Sequence, residues 1–409
     1  MKGAALTLCA LLVVGFSSVP QAMDWTHPWQ GPRSSVDAAD SSDEYAWRVF
    51  VALNWPARAD MRAPDPQATL AMQSATVWES WSSANDIFRP DGRDPGPWHC
   101  AGGVAAASDS AAPCSTHAPS GEAVVSIDSS RFEAFSARDL PNLQRVQNGK
   151  MVPVKDPLAS AARLTEIHMN RAGYEYIRTR GLYNTEGQLR ALDQHTTIEF
   201  PAGTQEVKAK WRIISQTERS RYHTLTVKLA DGTERLYGLT ALHVVTKDLP
   251  TWFWATFEHV DNPQLPGNDG WQAPSRDTFA CGRKSTQCDH APRGIGLEGT
   301  VWQNYRLRGT LTSFVDSNGR PRLLANSELE AGMQATASCI TCHSRAAIGA
   351  MGRQPVRLPI FDTRTTDSQP DLHSKRGFVG MPRPEWFENG RFQSLDFIWS
   401  MAKARPQSP

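Results

Sequence analysis

Alternation of apolar and polar positions is clearest in the middle of the chain. In "EVKAKWRII", Val207, Ala209, Trp211 and Ile213 share one face and Lys208, Lys210 and Arg212 the other, which predicts a half-buried strand. "YHTLTVKLADGTERLYGLTALHVV" predicts a hairpin turning at Asp231–Gly232. Its second arm, 236–245, is apolar on both faces and is therefore expected at the centre of a sheet. "TWFWATFEH" predicts another strand, and "VWQNYRLRGTLTSFVDSNGRPRLLAN" further strand segments with a turn at Asn318–Gly319. Helical patterns flank this region. "SSDEYAWRVFVALNWPAR" predicts a short helix with Ser42 as N-cap, stopped by Pro56. "DPLASAARLTEIHMNRAGYEYIRTRGLY" predicts a helix opened by Asp156 and Pro157 and ended by Gly181. Residues 82–125, rich in Gly, Ala, Ser and Pro, read as loop. Further on, "NSELEAGMQATASCITCH" places Ser327 three residues before Glu330 as a capping box, with Leu329, Met333 and Ala337 on one stripe. In "GRFQSLDFIWSMAKAR", Ser394 near the cap and the apolar Leu395, Ile398 and Trp399 predict a closing helix.

With 409 residues there is room for two or three domains. Charged residues make up 21% and the formal net charge is +1, so no basic excess points to nucleic acid or an anionic membrane surface. Fourteen tryptophans bring large flat apolar surfaces, which suit a plain core first and a bulky cofactor second. At the N-terminus Lys2, the apolar run 4–16 and small or polar residues up to Ala22 form the pattern of a secretory signal peptide. No other segment is long and apolar enough for a transmembrane helix. The expected location is the periplasm or the exterior, with no membrane span. Export permits disulfides. Beyond Cys9 the cysteines are Cys100, Cys114, Cys281, Cys288, Cys339 and Cys342. Local pairing, Cys100 with Cys114 and Cys281 with Cys288, is the simplest assignment, although four cysteines allow three connectivities.

The remaining two stand in "CITCH" as C-x-x-C-H: Cys339, Cys342 and His343. Two thiols separated by two residues in a tight turn match the two vinyl groups of a porphyrin, and a following His can bind the iron from the proximal side. A structural zinc site asks for a second close ligand pair, and no other C-x-x-C is present. A redox disulfide of the thioredoxin type wants its motif at a helix start after a strand, whereas a helix is expected to precede this one. The favoured chemistry is one covalent haem c.

Around that motif the chain from about 320 to 409 resembles a compact single-haem cytochrome c domain: a helix leading into "SCITCH", a loop with Met and Pro in "GFVGMPRP", and a closing helix in "SLDFIWSMAKA". With "FVALNWP", "VKAKWRII" and "WFWATFEH", the whole chain resembles large exported proteins of the cytochrome c family. The resemblance implies thioether bonds at Cys339 and Cys342, His343 as proximal iron ligand, and Met381, 38 residues beyond His343 and next to Pro382, as distal ligand. Met351 stands too close to His343, and Met401 suits the core. Among the histidines His168, His243 and His259, each expected first as a core or surface imidazole, His243 interrupts an otherwise apolar strand and needs a partner, either Glu258 or the haem. Arg345, Arg353 and Arg357 follow the motif as solvated loop charges or propionate partners. The expected organisation is α+β: a signal peptide at 1–22, a β-rich region at 23–320 with flanking helices, and a small all-α cytochrome c-like domain at 321–409. Three functions follow from such a chain. It is an electron carrier serving a redox partner protein, a haem enzyme with an open distal site of the peroxidase or P460 type, or a partner-binding module that relays electrons. No catalytic residue is assigned, and no oligomeric state.

Overall fold

The computed structural model describes residues 25–58, 62–98, 127–128, 144–147, 150–153, 163–228, 233–262, 276–285, 287–330, 337–352, 354–358, 381–382, 384–388 and 390–408. The expected signal peptide and the Cys100/Cys114 pair lie outside them.

Two helices come first, α1 (Ser35–Asp40) and α2 (Ser42–Leu53). The predicted helix is present, with Ser41 rather than Ser42 at its N-cap. Helix α2 buries Tyr45, Trp47, Val49, Phe50 and Leu53, and Asn54 closes it through Nδ2 donating to the Phe50 carbonyl at 2.9 Å. A small hairpin follows, β1 (Ala57–Arg58) and β2 (Ala63–Pro64). Strand β3 (Ser82–Ser83) leads into α3 (Ala84–Ile87), opened by a reciprocal Ser83–Asp86 capping box. Short strands β4 (Ile127–Asp128), β5 (Gln144–Gln147) and β6 (Lys150–Pro153) precede β7 (Arg163–Met169), α4 (Arg171–Thr179) and α5 (Thr185–Asp193). Then come β8 (Gln205–Ile213), β9 (Thr224–Lys228), β10 (Glu234–Thr246), β11 (Phe253–His259) and β12 (Tyr305–Leu311). The last elements are α6 (Cys339–His343), β13 (Ala347–Met351), β14 (Gln354–Val356), α7 (Glu385–Glu388) and β15 (Phe392–Ser394). The chain is α+β. No helix among the described residues is long and apolar enough to cross a membrane.

The main sheet runs β12-β11-β10-β8-β7-β3, with β9 pairing the first half of β10 and β4 lying parallel to β9. As predicted, the arm 236–245 is central: β10 bonds β8 on one side and β9, then β11, on the other. Both faces of the sheet are covered. One lies over α2, where Trp47 and Phe50 pack with Val207, Trp211, Leu242, Val244, Phe257 and Leu307. The other lies over a second core that joins Met169, Tyr174, Val245 and Trp254 to Cys339, Ile340, Ile348, Leu395 and Met401. This second layer explains why β8 is not half-buried as predicted: Glu206 and Lys210, on its polar face, are also covered.

A β-bulge decides which residues face which layer. On β10 the register against β8 slips between Leu239 and Ala241. Tyr237 and Leu239 point to the α2 side, but beyond the slip Leu242 and Val244 do, so the parity inverts. Strict alternation from Leu239 would send His243 into the α2 core; the extra residue sends it to the opposite face.

Two expectations are corrected. Residues 163–169 are strand β7, not part of a helix begun at Asp156. The side chains of Glu166 and His168 bond each other at 2.9 Å, Glu166 also accepts from Trp211 Nε1 at 2.9 Å, and pairing with β8 satisfies the backbone. The helix begins after Asn170, whose side chain accepts from the Gly173 N–H, and Gly181 (φ +65°) follows its end as predicted. The second correction concerns the C-terminal region, which is not all-α. Among its described residues β13 is flanked by β14 and β15 in a three-stranded antiparallel sheet. Gly349 permits this, because a Cβ there would lie 2.6 Å from the Arg391 carbonyl oxygen. The expected closing helix is broken by Asp396 and Phe397, both at positive φ (46° and 69°), and only a 3₁₀ segment, 399–403, remains.

Glu79 and His223 form a buried pair at 2.9 Å, with the imidazole stacked on Trp302. Burial alone raises the Glu79 carboxyl, but the His223 charge and hydrogen bond and the Thr76 N–H and O–H hold it at about 2. A depressed folded value means stability that is complete above the unfolded value and lost as pH falls through it. We therefore expect Glu79→Gln to lower the urea midpoint at pH 7 and to flatten its decline between roughly pH 4.5 and 2. Parallel acid titrations of both proteins by tryptophan fluorescence would test this; identical acid limbs would rule it out.

Candidate functional site

The C-x-x-C-H residues sit at the meeting of the second core and the sheet. Ala337 and Ser338 are extended, and α6 begins at Cys339 itself. The predicted Ser327–Glu330 capping box does not form. Asn326 Oδ1 instead accepts from the N–H groups of Glu328 and Leu329, and Ser327 gives both its N–H and its hydroxyl to Glu258. Residues 331–336, which would continue the expected helix into the motif, lie outside the described residues.

Since the motif opens a helix, its position does not argue against a redox disulfide. Cys339 is buried, its Sγ 3.8 Å from the Leu324 carbonyl oxygen, and neither it nor Cys342 is in a disulfide. Burial pushes the Cys339 thiol well up and that of Cys342 to about 11. A zinc site would need further ligands beside this pair; among the described residues the three-ligand cluster close enough for a metal is Cys281, Cys288 and His290.

His343 is oriented by its backbone neighbour. Its Nδ1 donates to the Phe397 carbonyl at 2.8 Å, which leaves the Nε2 lone pair for a metal. Burial lowers its pKa to about 4, so the ring is neutral. The Phe397 carbonyl is placed by Asp396, whose carboxylate takes Lys247 Nζ at 2.8 Å, the Phe200 N–H at 2.8 Å and Trp252 Nε1 at 3.2 Å. Trp254 lies beside the imidazole at 4.6 Å between centroids, and Trp399 Nε1 donates to the Cys342 carbonyl at 2.7 Å.

Facing His343 from β10 is His243. The two rings are nearly parallel, at 12°, with centroids 6.1 Å apart. His243 is 5% exposed, and its Nε2 has no hydrogen-bond partner among the described residues. Its Nδ1 lies 4.0 Å from Glu330 Oε1. Burial, and then the adjacent His343, lower its pKa well below the usual range. Glu258, one of the two partners anticipated for it, is committed elsewhere: besides Ser327 it accepts from Arg306 Nε and Nη2 at 3.0 and 2.6 Å and pairs with Arg308 at 3.4 Å.

The remaining candidates separate clearly. Met381 is 68% exposed and Met351 also lies at the surface, while Met401 belongs to the core. His168 is held by Glu166 and the Trp81 carbonyl, and His259 by the Arg221 carbonyl and a stack on Tyr222. Arg345 is buried with its guanidinium over Trp386, and Arg357 bonds Gln188 and the Ala347 carbonyl. Neither is a solvated loop charge, and Arg353 lies outside the described residues. Cys281, Cys288 and His290 cluster closely enough for a metal, but the two sulfurs form the expected local disulfide.

Compared with known proteins, the chain matches no protein-family model, no curated protein and no solved structure at a significant level.

Proposed function

We propose that this protein is an exported c-type cytochrome that carries one haem on Cys339 and Cys342, binds its iron through His343 and exchanges electrons with a redox partner protein. The observation that carries the proposal is the 2.8 Å bond from His343 Nδ1 to the Phe397 carbonyl, which frees Nε2 on the same turn as the two free cysteines of the C-x-x-C pair. When bound, haem supplies a one-electron iron couple. The chain's own residues do the rest. Cys339 and Cys342 would each hold one vinyl group through a thioether, the S–H adding across the double bond with sulfur on one carbon, hydrogen on the other and no net oxidation. Because Cys339 is buried in the folded protein, addition belongs before the second core closes. Asp396 and Phe397 would hold the imidazole in one tautomer, and Trp254 would flank the ring.

Export by the segment 1–22 and delivery to the periplasm or exterior complete the proposal. The Cys281–Cys288 disulfide supports it, since such bonds persist in oxidising compartments. Potentiometric titration of the holoprotein tests the function. We expect one reversible one-electron wave and electron exchange with a small soluble redox protein, without peroxide consumption. Peroxide turnover with no reversible wave would contradict it.

A further inference from the structure

We propose that His243 is the second axial ligand of the haem iron, on the face opposite His343. This rests on the haem assignment above and goes beyond it by closing the sixth coordination position.

Four observations converge on His243. The β10 bulge is what turns its side chain away from the α2 core and toward the motif. Among the described residues its Nε2 meets no hydrogen-bond partner, and a buried ring nitrogen left so is costly unless something meets it. The groups around it do not meet it: Glu258 is taken by Arg306, Arg308 and Ser327, Glu330 approaches Nδ1 only to 4.0 Å, and Trp254 presents a ring at 6.4 Å. Lastly, the near-parallel rings of His243 and His343 stand 6.1 Å apart by their centroids, too far for direct stacking. First-row metals hold imidazole nitrogens at about 2 Å; with about 1 Å from nitrogen to ring centre on each side, one iron between two imidazoles sets the centroids about 6 Å apart. Met381, the thioether expected from the resemblance, is at the surface.

Two nitrogen ligands leave no open position for peroxide or another substrate, which favours electron transfer over the enzyme alternative. A thioether ligand favours ferrous iron and raises the potential; the His pair lacks that effect.

The test uses holoprotein matured with covalent haem. Wild type should be low-spin in the ferric state, lack the far-red sulfur-to-iron band, and show the electron paramagnetic resonance of two imidazole ligands. His243→Ala should become high-spin and bind cyanide roughly a hundredfold more tightly, because the competing ligand is gone. His243→Met, which offers a thioether from the same position, should gain the far-red band. The proposal is overturned if wild type is already high-spin, or if it shows a sulfur band that Met381→Ala abolishes and His243→Ala does not. In either case retained haem would leave the assignment of Cys339, Cys342 and His343 standing. Protein that matures without covalent haem would instead remove the assignment on which both proposals rest.

Discussion

Replacing both motif cysteines, Cys339→Ala with Cys342→Ala, should abolish covalent haem altogether, while either single change should leave one thioether bond and a lower yield. The two thiols are in different settings. Cys339 is fully enclosed near the Leu324 carbonyl, and Cys342 is partly accessible at the other end of the turn. A Cys339 variant therefore disturbs the core as well as attachment, and its holoprotein should melt lower than that of Cys342→Ala. Haem absorbance that stays with the polypeptide in denaturing gels reads the first effect and thermal melts read the second. Equal haem retention in the double variant and the wild type would show that these sulfurs are not the anchors.

The second large effect is expected at Glu258. Its carboxylate is wholly buried, accepts from Arg306 and from both donors of Ser327, and pairs with Arg308 at 3.4 Å. Removing Glu258 leaves two buried arginines, with the half-exposed Asp289 still 3.1 Å from Arg306, so Glu258→Ala should lose about 3 kcal/mol. The damage should also reach the site, because Ser327 anchors the turn that brings Glu330 beside His243. An apolar replacement of all three charges, Glu258→Leu with Arg306→Met and Arg308→Met, should recover much of that loss, since it removes the buried charges together. Urea unfolding of the three proteins checks this. A Glu258→Ala midpoint within error of wild type would mean that the network contributes nothing to stability.

Much of the sheet was legible from alternation alone. Strands β8, β10 and β11 lie where "EVKAKWRII", "LYGLTALHVV" and "TWFWATFEH" place them, and the double-sided apolar pattern of β10 marks it as central. Helix α2 and the turn near Gly319 (φ +74°) were equally local. What escaped depended on distant partners. Strand β7 contains Glu166 and His168, a pair whose burial is tolerable only because they bond each other and Trp211. The bulge that redirects His243 has one local mark, Gly238 just before the slip, which alternation does not register; Thr240, the residue at the slip, gives its hydroxyl to the Lys210 carbonyl. In the C-terminal region, helical periodicity in 394–399 was real, but Asp396 is drawn into a buried pair with Lys247, 149 residues away, and the helix gives way to that contact. The two halves of the site show the same division. Cys339, Cys342 and His343 are adjacent in sequence and could be found there, whereas His243 becomes the leading distal candidate only when β10 is folded against α6.

The most direct measurement is the intact mass of mature protein, produced with a working haem-maturation system and then fully denatured in acid-acetone. We expect the polypeptide to have lost residues 1–22 and to carry one haem that extraction does not remove. A mature chain of bare polypeptide mass, made under conditions where a control cytochrome c acquires its haem, would contradict the account at its root.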